Sequence, residues 1–142
     1  MRIGELAREV GTTPRTVRYY EEIGLLPDAG SRPAGSHREY TGDDVERLRL
    51  IMRLKDLLGL SLDDLRTVIH GEDARAVRRR EWHETDDPAE RRRILAEAMA
   101  HTEGLLAHVR RRRGALADFE AELNERHQRQ AHSLRELGEA VS

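Results

Sequence analysis

Apolar residues recur at helical spacing through most of the chain, and the breaks between runs carry capping residues. Ile3, Leu6, Ala7 and Val10 form a first short stripe that Gly11 stops, predicting a helix of about two turns. Thr13 caps a second helix whose first position is Pro14, a residue with no amide proton to leave unbonded, and Gly24 ends it. The pair reads as a helix-turn-helix, although two short helices around a glycine also suit an ordinary helical hairpin. Residues 27 to 42 contain Pro27, Gly30, Pro33, Gly35 and Gly42 and so predict no helix. Flanked by Arg32 and Ser36-His37-Arg38-Glu39-Tyr40, the turn at Pro33-Ala34-Gly35 predicts a small β-hairpin with Arg38 and Tyr40 on one face. Beside a helix-turn-helix such a hairpin is a wing, and a solvated connecting loop is the alternative.

Two further capped helices follow. Thr41-Gly42-Asp43-Asp44 opens one that carries Val45, Leu48, Ile51, Met52, Lys55 and Leu58 to Gly59. Ser61-Leu62-Asp63-Asp64 opens another through Leu65, Val68 and Ile69, closed by Gly71. Together these faces supply a small core, so residues 1–70 are expected to form one compact unit. Residues 71–87 are charged and predict an irregular connector. Asp87-Pro88 then starts a long helix. With Leu95 at heptad position a, Leu95, Thr102, Val109, Leu116 and Leu123 fall at a, and Ala98, Leu105, Arg112, Phe119 and Arg126 at d. Seven of these ten are apolar, which predicts a coiled-coil seam of about four heptads over 88–126. A helix this long cannot bury its stripe against a 70-residue domain, so the expected partner is a second copy. The polar residues 127–142 predict a fraying tail.

Composition narrows the function. Of 142 residues, 37% are charged and 4% aromatic, which favours long solvated helices over a large globular core. The net charge of −2 gives no global argument for nucleic acid, so the local distribution decides. The second helix presents Arg15, Thr16, Arg18, Tyr19 and Tyr20 with no acid before Glu21, a composition suited to a phosphate-lined groove. Arg32, His37 and Arg38 form a second acid-free basic patch. Arg110 to Arg113 point to all sides of a helix and read as a solvated face.

Other chemistry is missing. The chain has no cysteine, hence no disulfide or thiolate metal site, and no glycine-rich phosphate loop or nucleophile–base pair. His101 and His108, seven apart, are too distant for one metal from one chain. No cofactor, metal or catalytic residue is predicted. No amino-terminal signal and no apolar run near the roughly 18 residues of a membrane helix are present, which predicts a cytoplasmic protein without membrane contact. Trp82, the single tryptophan, lies in the connector as the candidate wall of a small-molecule effector pocket.

Ile3-Gly4-Glu5-Leu6-Ala7, Thr16-Val17-Arg18-Tyr19-Tyr20-Glu21-Glu22-Ile23-Gly24-Leu25-Leu26, Arg38-Glu39-Tyr40 and Leu57-Leu58-Gly59-Leu60-Ser61-Leu62-Asp63-Asp64-Leu65 resemble the MerR family of bacterial transcription regulators, closely over residues 1 to about 70. The resemblance implies a mostly α protein: a winged helix-turn-helix DNA-binding domain followed by an antiparallel coiled coil that makes a homodimer. It implies that Arg18, Tyr19 and Tyr20 meet the DNA backbone, that Arg15 and Thr16 lie nearest the bases, that Arg38 and Tyr40 hold the wing on DNA, and that Lys55 reaches another phosphate. It further implies a palindromic promoter operator in double-stranded DNA, bent and untwisted so that RNA polymerase engages both promoter elements. Metal-sensing branches use cysteines that this chain lacks, and drug-sensing branches append a domain for which too few residues follow 130. The rival reading from another class is a coiled-coil interaction protein whose basic patches bind an acidic protein partner.

Overall fold

The computed structural model describes residues 1–27 and 39–141, which contain five helices. Helix α1 (Ile3–Val10) ends at Gly11, whose φ of +84° is left-handed and whose N–H donates to Ala7 O at 2.9 Å. Helix α2 (Pro14–Glu22) starts where the Thr13 hydroxyl accepts from Thr16 N at 3.2 Å. Helix α3 (Gly42–Leu58) opens with a reciprocal capping box. Thr41 N donates to Asp44 Oδ2 at 2.9 Å while Asp44 N donates to Thr41 Oγ1. Ser61 caps α4 (Leu62–Glu84) and Asp87 accepts from Ala89 N at the start of α5 (Pro88–Val141). The sequence therefore marks every helix start from Thr13 onward with the residue that caps it.

Residues Met1–His101 form one compact unit and the remainder of α5 a second. In the first, α1 packs on α2 and α3, and α3 packs on α4. Leu6, Ala7, Val17, Leu25, Leu48, Ile51 and Ile69 are buried at the centre, and Ile94 adds a residue from the start of α5. Leu6, Ala7, Leu48, Ile51 and Ile69 are stripe positions expected from the helical spacing, Val17, Leu25 and Ile94 join them, and this burial is the main source of the unit's stability. No strand occurs among the described residues. The expected wing, with Arg32, His37 and Arg38, lies outside them.

Two expectations change. The stretch 71–87 is not an irregular connector: α4 passes through Gly71 and continues to Glu84, leaving only 85–87 between helices. A glycine within a helix costs about 1 kcal/mol relative to alanine, but here it makes room. A Cβ on Gly71 would stand 2.2 Å from Cε1 and Nδ1 of His101, so the missing side chain lets the α5 histidine lie against α4. His101 Nε2 reaches Glu72 Oε1 at 3.2 Å. Burial pushes the Glu72 carboxyl up, but hydrogen bonds from Arg75 and His101, and their charge, hold it below the ordinary glutamate value. With its folded pKa depressed, Glu72 contributes stability above the ordinary carboxylate range, lost as pH falls through the folded value.

The second change is the tail. Residues 127–141 continue α5, because no proline interrupts them and glutamate, arginine, glutamine, leucine and alanine, good helix formers, outnumber His127, His132, Ser133, Gly138 and Val141. Its polarity marks a solvated helix.

The His101 contact predicts a reversal of sign. Gly71→Ala is expected to destabilise the protein by about 1 kcal/mol, because the ring must leave its site, whereas the same change made in a His101→Ala background should stabilise it by up to about 1 kcal/mol. Denaturant unfolding of the four variants measures both; stabilisation in the presence of His101 contradicts the contact.

Candidate nucleic-acid interface

Helix α2 separates its residues by face. Val17, Tyr20 and Glu21 are buried, whereas Arg15, Arg18, Tyr19 and Glu22 share the exposed face at spacings of three and four. Thr16 is half-buried, its hydroxyl 3.1 Å from that of Thr13. Tyr19 is 45% exposed and its ring centroid lies 5.5 Å from that of Tyr20 in a tilted pair. The outward surface is thus two guanidiniums and a phenol, with the acid at the far end. Lys55, in the last turn of α3, is exposed as well.

Two expected DNA contacts are core residues instead. Tyr20 is 2% exposed and Tyr40 6%. Tyr20 lies three residues after Val17, on the inward face, where a large ring adds apolar burial. The Tyr40 hydroxyl donates to Glu21 Oε1 inside the unit, so this phenol ties the chain after residue 38 to α2. The chain start joins the same corner: Tyr40 N donates to Met1 O at 2.7 Å, and the Met1 ammonium donates to Glu39 Oε2 and to Tyr40 O, each at 3.0 Å.

The end of α2 is held by arginines that sequence reasoning passed over. Arg47 Nε of α3 donates to Leu25 O at 2.6 Å, and its guanidinium also pairs with Asp73 of α4. Arg66 Nη2 of α4 donates to Ile23 O at 3.2 Å. Both satisfy carbonyls just beyond the helix, groups that otherwise lack intrahelical partners. They orient α2 without facing outward. The only sequence signal was a charge among apolar stripe positions, as with Glu21 between Tyr20 and Ile23.

Trp82 of α4 is half-buried with the Arg91 guanidinium 4.7 Å from its ring centroid. Together with Arg78 on α4 and Ile94, Leu95 and Ala98 on α5, it walls a cleft of about 220 Å³. Of the expected seam, Leu95, Val109, Leu116, Phe119 and Leu123 are exposed on the single chain, and Ala98 and Leu105 are partly so.

A geometry of one capped helix carrying outward arginines, propped from behind by two further helices, matches a known pattern. The family model described as MerR HTH family regulatory protein matches residues 1–72, the same helices α1 to α3 and the start of α4. The chain belongs to the MerR family. Its members are DNA-binding transcription regulators rather than enzymes. The chain is 37% identical over 97 residues to the HTH-type transcriptional regulator YfmP of Bacillus subtilis, across 68% of this chain and 69% of YfmP. It is 48% identical over 65 residues to the HTH-type transcriptional regulator PA4778 of Pseudomonas aeruginosa, a match that spans 46% of this chain and 48% of that protein. Among solved structures, the transcription regulator PbrR691 of Ralstonia metallidurans CH34, crystallised with lead(II), aligns with a TM-score of 0.52 at 29% identity, over 88% of this chain and 84% of that one. HiNmlR, a MerR family regulator lacking the sensor domain and bound to promoter DNA, aligns with a TM-score of 0.52 at 25% identity over 92% of each chain. Among the described residues, no helix of this MerR-family protein is long and apolar enough to cross a membrane.

Proposed function

We propose that this MerR-family protein acts in the cytoplasm as a homodimer on a palindromic promoter operator, and that it regulates by bending and untwisting the DNA for RNA polymerase. The observation that carries the reading is the outward face of α2. Arg18 and Tyr19 suit the backbone, and we assign Arg15 and Thr16, at the start of the helix, to base edges. Lys55 adds a phosphate contact. Arg38 and His37 extend the same role to the wing sequence, and Tyr20 and Tyr40 support the site from the core.

The dimer follows from the seam on α5. Antiparallel helices pack position a against position d. Setting Leu105 against the partner's Val109 pairs Leu95 with Phe119, Ala98 with Leu116, and Thr102 with Arg112, so the polar residues meet each other and the apolar ones meet apolar ones. Sliding by one heptad instead sets Leu95 against Arg126 and Val109 against Arg112. The first register is the better matched. It predicts that the double variant Leu105→Cys/Val109→Cys, in a chain free of other cysteines, forms disulfide-linked dimers under mild oxidation while either single variant links poorly. Efficient linkage of the singles would contradict this register.

Operator binding is tested by gel shift of genomic intergenic fragments at rising salt. Arg18, Arg38 and Lys55 in each protomer give six phosphate partners per dimer, hence a slope of log affinity against log salt of about −5. An acidic protein partner captured with no sequence-selective shift on DNA would favour the rival interaction-protein reading.

A further inference from the structure

The cleft between α4 and the start of α5 is walled by unlike chemistries. Arg75, Arg78, Arg79 and Trp82 follow one another at spacings of three, one and three on α4, and Ile94, Leu95 and Ala98 close the other side. Three arginines and no acid line it. Arg75 is already engaged, its Nη1 3.1 Å from Glu72 Oε2. Arg78 is not: its Nε and Nη2 are both screened from solvent and have no hydrogen-bond acceptor among the described residues. A guanidinium cannot shed its proton to escape that cost, so two buried charged donors without an acceptor are an energetic fault that a bound anion would repair. The rest of the wall is an indole and three aliphatic side chains, which suit an apolar body and not a bare inorganic ion.

We propose that this cleft binds a small organic carboxylate with an aromatic or branched-alkyl body. The carboxylate supplies the acceptor that Arg78 lacks, and the body lies against Trp82, Ile94 and Leu95. Leu95 and Ala98 are also seam positions, so an occupant touches the dimer contact as well as the helix that props α2. That regulatory consequence rests on the proposed function. The binding itself must compete with the partner's Phe119 and the partner's Leu116, which the proposed register sets against Leu95 and Ala98.

The single tryptophan makes the test direct. Titrating the full-length protein with 4-phenylbutyrate should change Trp82 emission to saturation with a Kd on the order of 1 mM. The uncharged 4-phenylbutyramide, of the same shape, should bind at least about tenfold more weakly. Arg78→Gln should weaken the acid about tenfold and leave the amide unchanged, and Arg78→Lys should recover part of the loss. Thermal unfolding and the DNA gel shift of each variant confirm that the fold and the DNA face are intact. The proposal is overturned if acid and amide bind alike, or if neither moves the emission. It is also overturned if Arg78→Gln leaves the acid's affinity unchanged, or if Trp82 emission follows protein concentration and ignores the probe, since a second copy then fills the cleft. Carboxylate binding by a protein that shifts no DNA would leave this site standing and remove the regulator reading.

Discussion

Glutamate at both Leu105 and Val109 is expected to convert the dimer to a monomer and to weaken operator binding by about a hundredfold or more. Position 105 faces the partner's 109 twice about the two-fold axis, so the double variant brings four carboxylates into the middle of the seam, where burying even one unpaired charge is costly. Each DNA-binding unit then meets its half-site alone. Tethering two modules at a suitable distance multiplies affinity by about 10² to 10⁴ without any new contact, and the monomer loses that factor. Sedimentation gives the mass and a gel shift gives the affinity. The residual binding should keep its sequence preference, because the face of α2 is untouched; a variant that stays dimeric would contradict the seam.

The second large effect separates two arginines on one helix face. Arg18→Ala is expected to weaken binding by about 1–3 kcal/mol on every sequence alike and to lower the salt slope by about 2, one phosphate from each protomer. Arg15→Ala should cost a similar amount on the operator and less on unrelated DNA, relaxing base preference near the point where α2 begins. Equal loss of specificity from both variants would contradict the division of roles. Burial sharpens the comparison: Arg15 and Arg18 are both exposed and make no hydrogen bond or ion pair among the described residues, so each substitution is expected to change binding and leave the structure intact.

Much of this architecture was legible from local chemistry. Thr13-Pro14, Thr41 with Asp44, Ser61 and Asp87-Pro88 each terminate unsatisfied amide groups within a few residues of themselves, so their meaning does not depend on the rest of the fold. Gly11 and Gly59 adopt left-handed conformations at helix ends for the same local reason. Gly71 has the same residue type and the opposite meaning, because its role depends on His101, thirty positions away. Tyr20 and Tyr40 were misread likewise. A phenol can meet a phosphate or a buried carboxylate equally well: Tyr40 donates to Glu21 on the inward face, and Tyr20 shares that face with Val17. Arg47 and Arg66 act on the backbone carbonyls of Leu25 and Ile23 just beyond α2, and carbonyls exist at every residue, so the acceptor gives no sequence signal. The polar residues from 127 on suit a tail as well as a helix because solvated helix and loose coil share a composition; helix propensity and the absence of proline distinguish them.

In the proposed dimer two α2 helices are presented to one operator at a fixed separation. Hydroxyl-radical footprinting of the full-length protein on an intergenic fragment selected from its own genome tests this directly. Two short protected patches related by a dyad are expected on one face of the duplex, with centres one helical turn of about 34–36 Å, or a multiple of it, apart. A single patch, or uniform protection that follows protein concentration and ignores sequence, would contradict it.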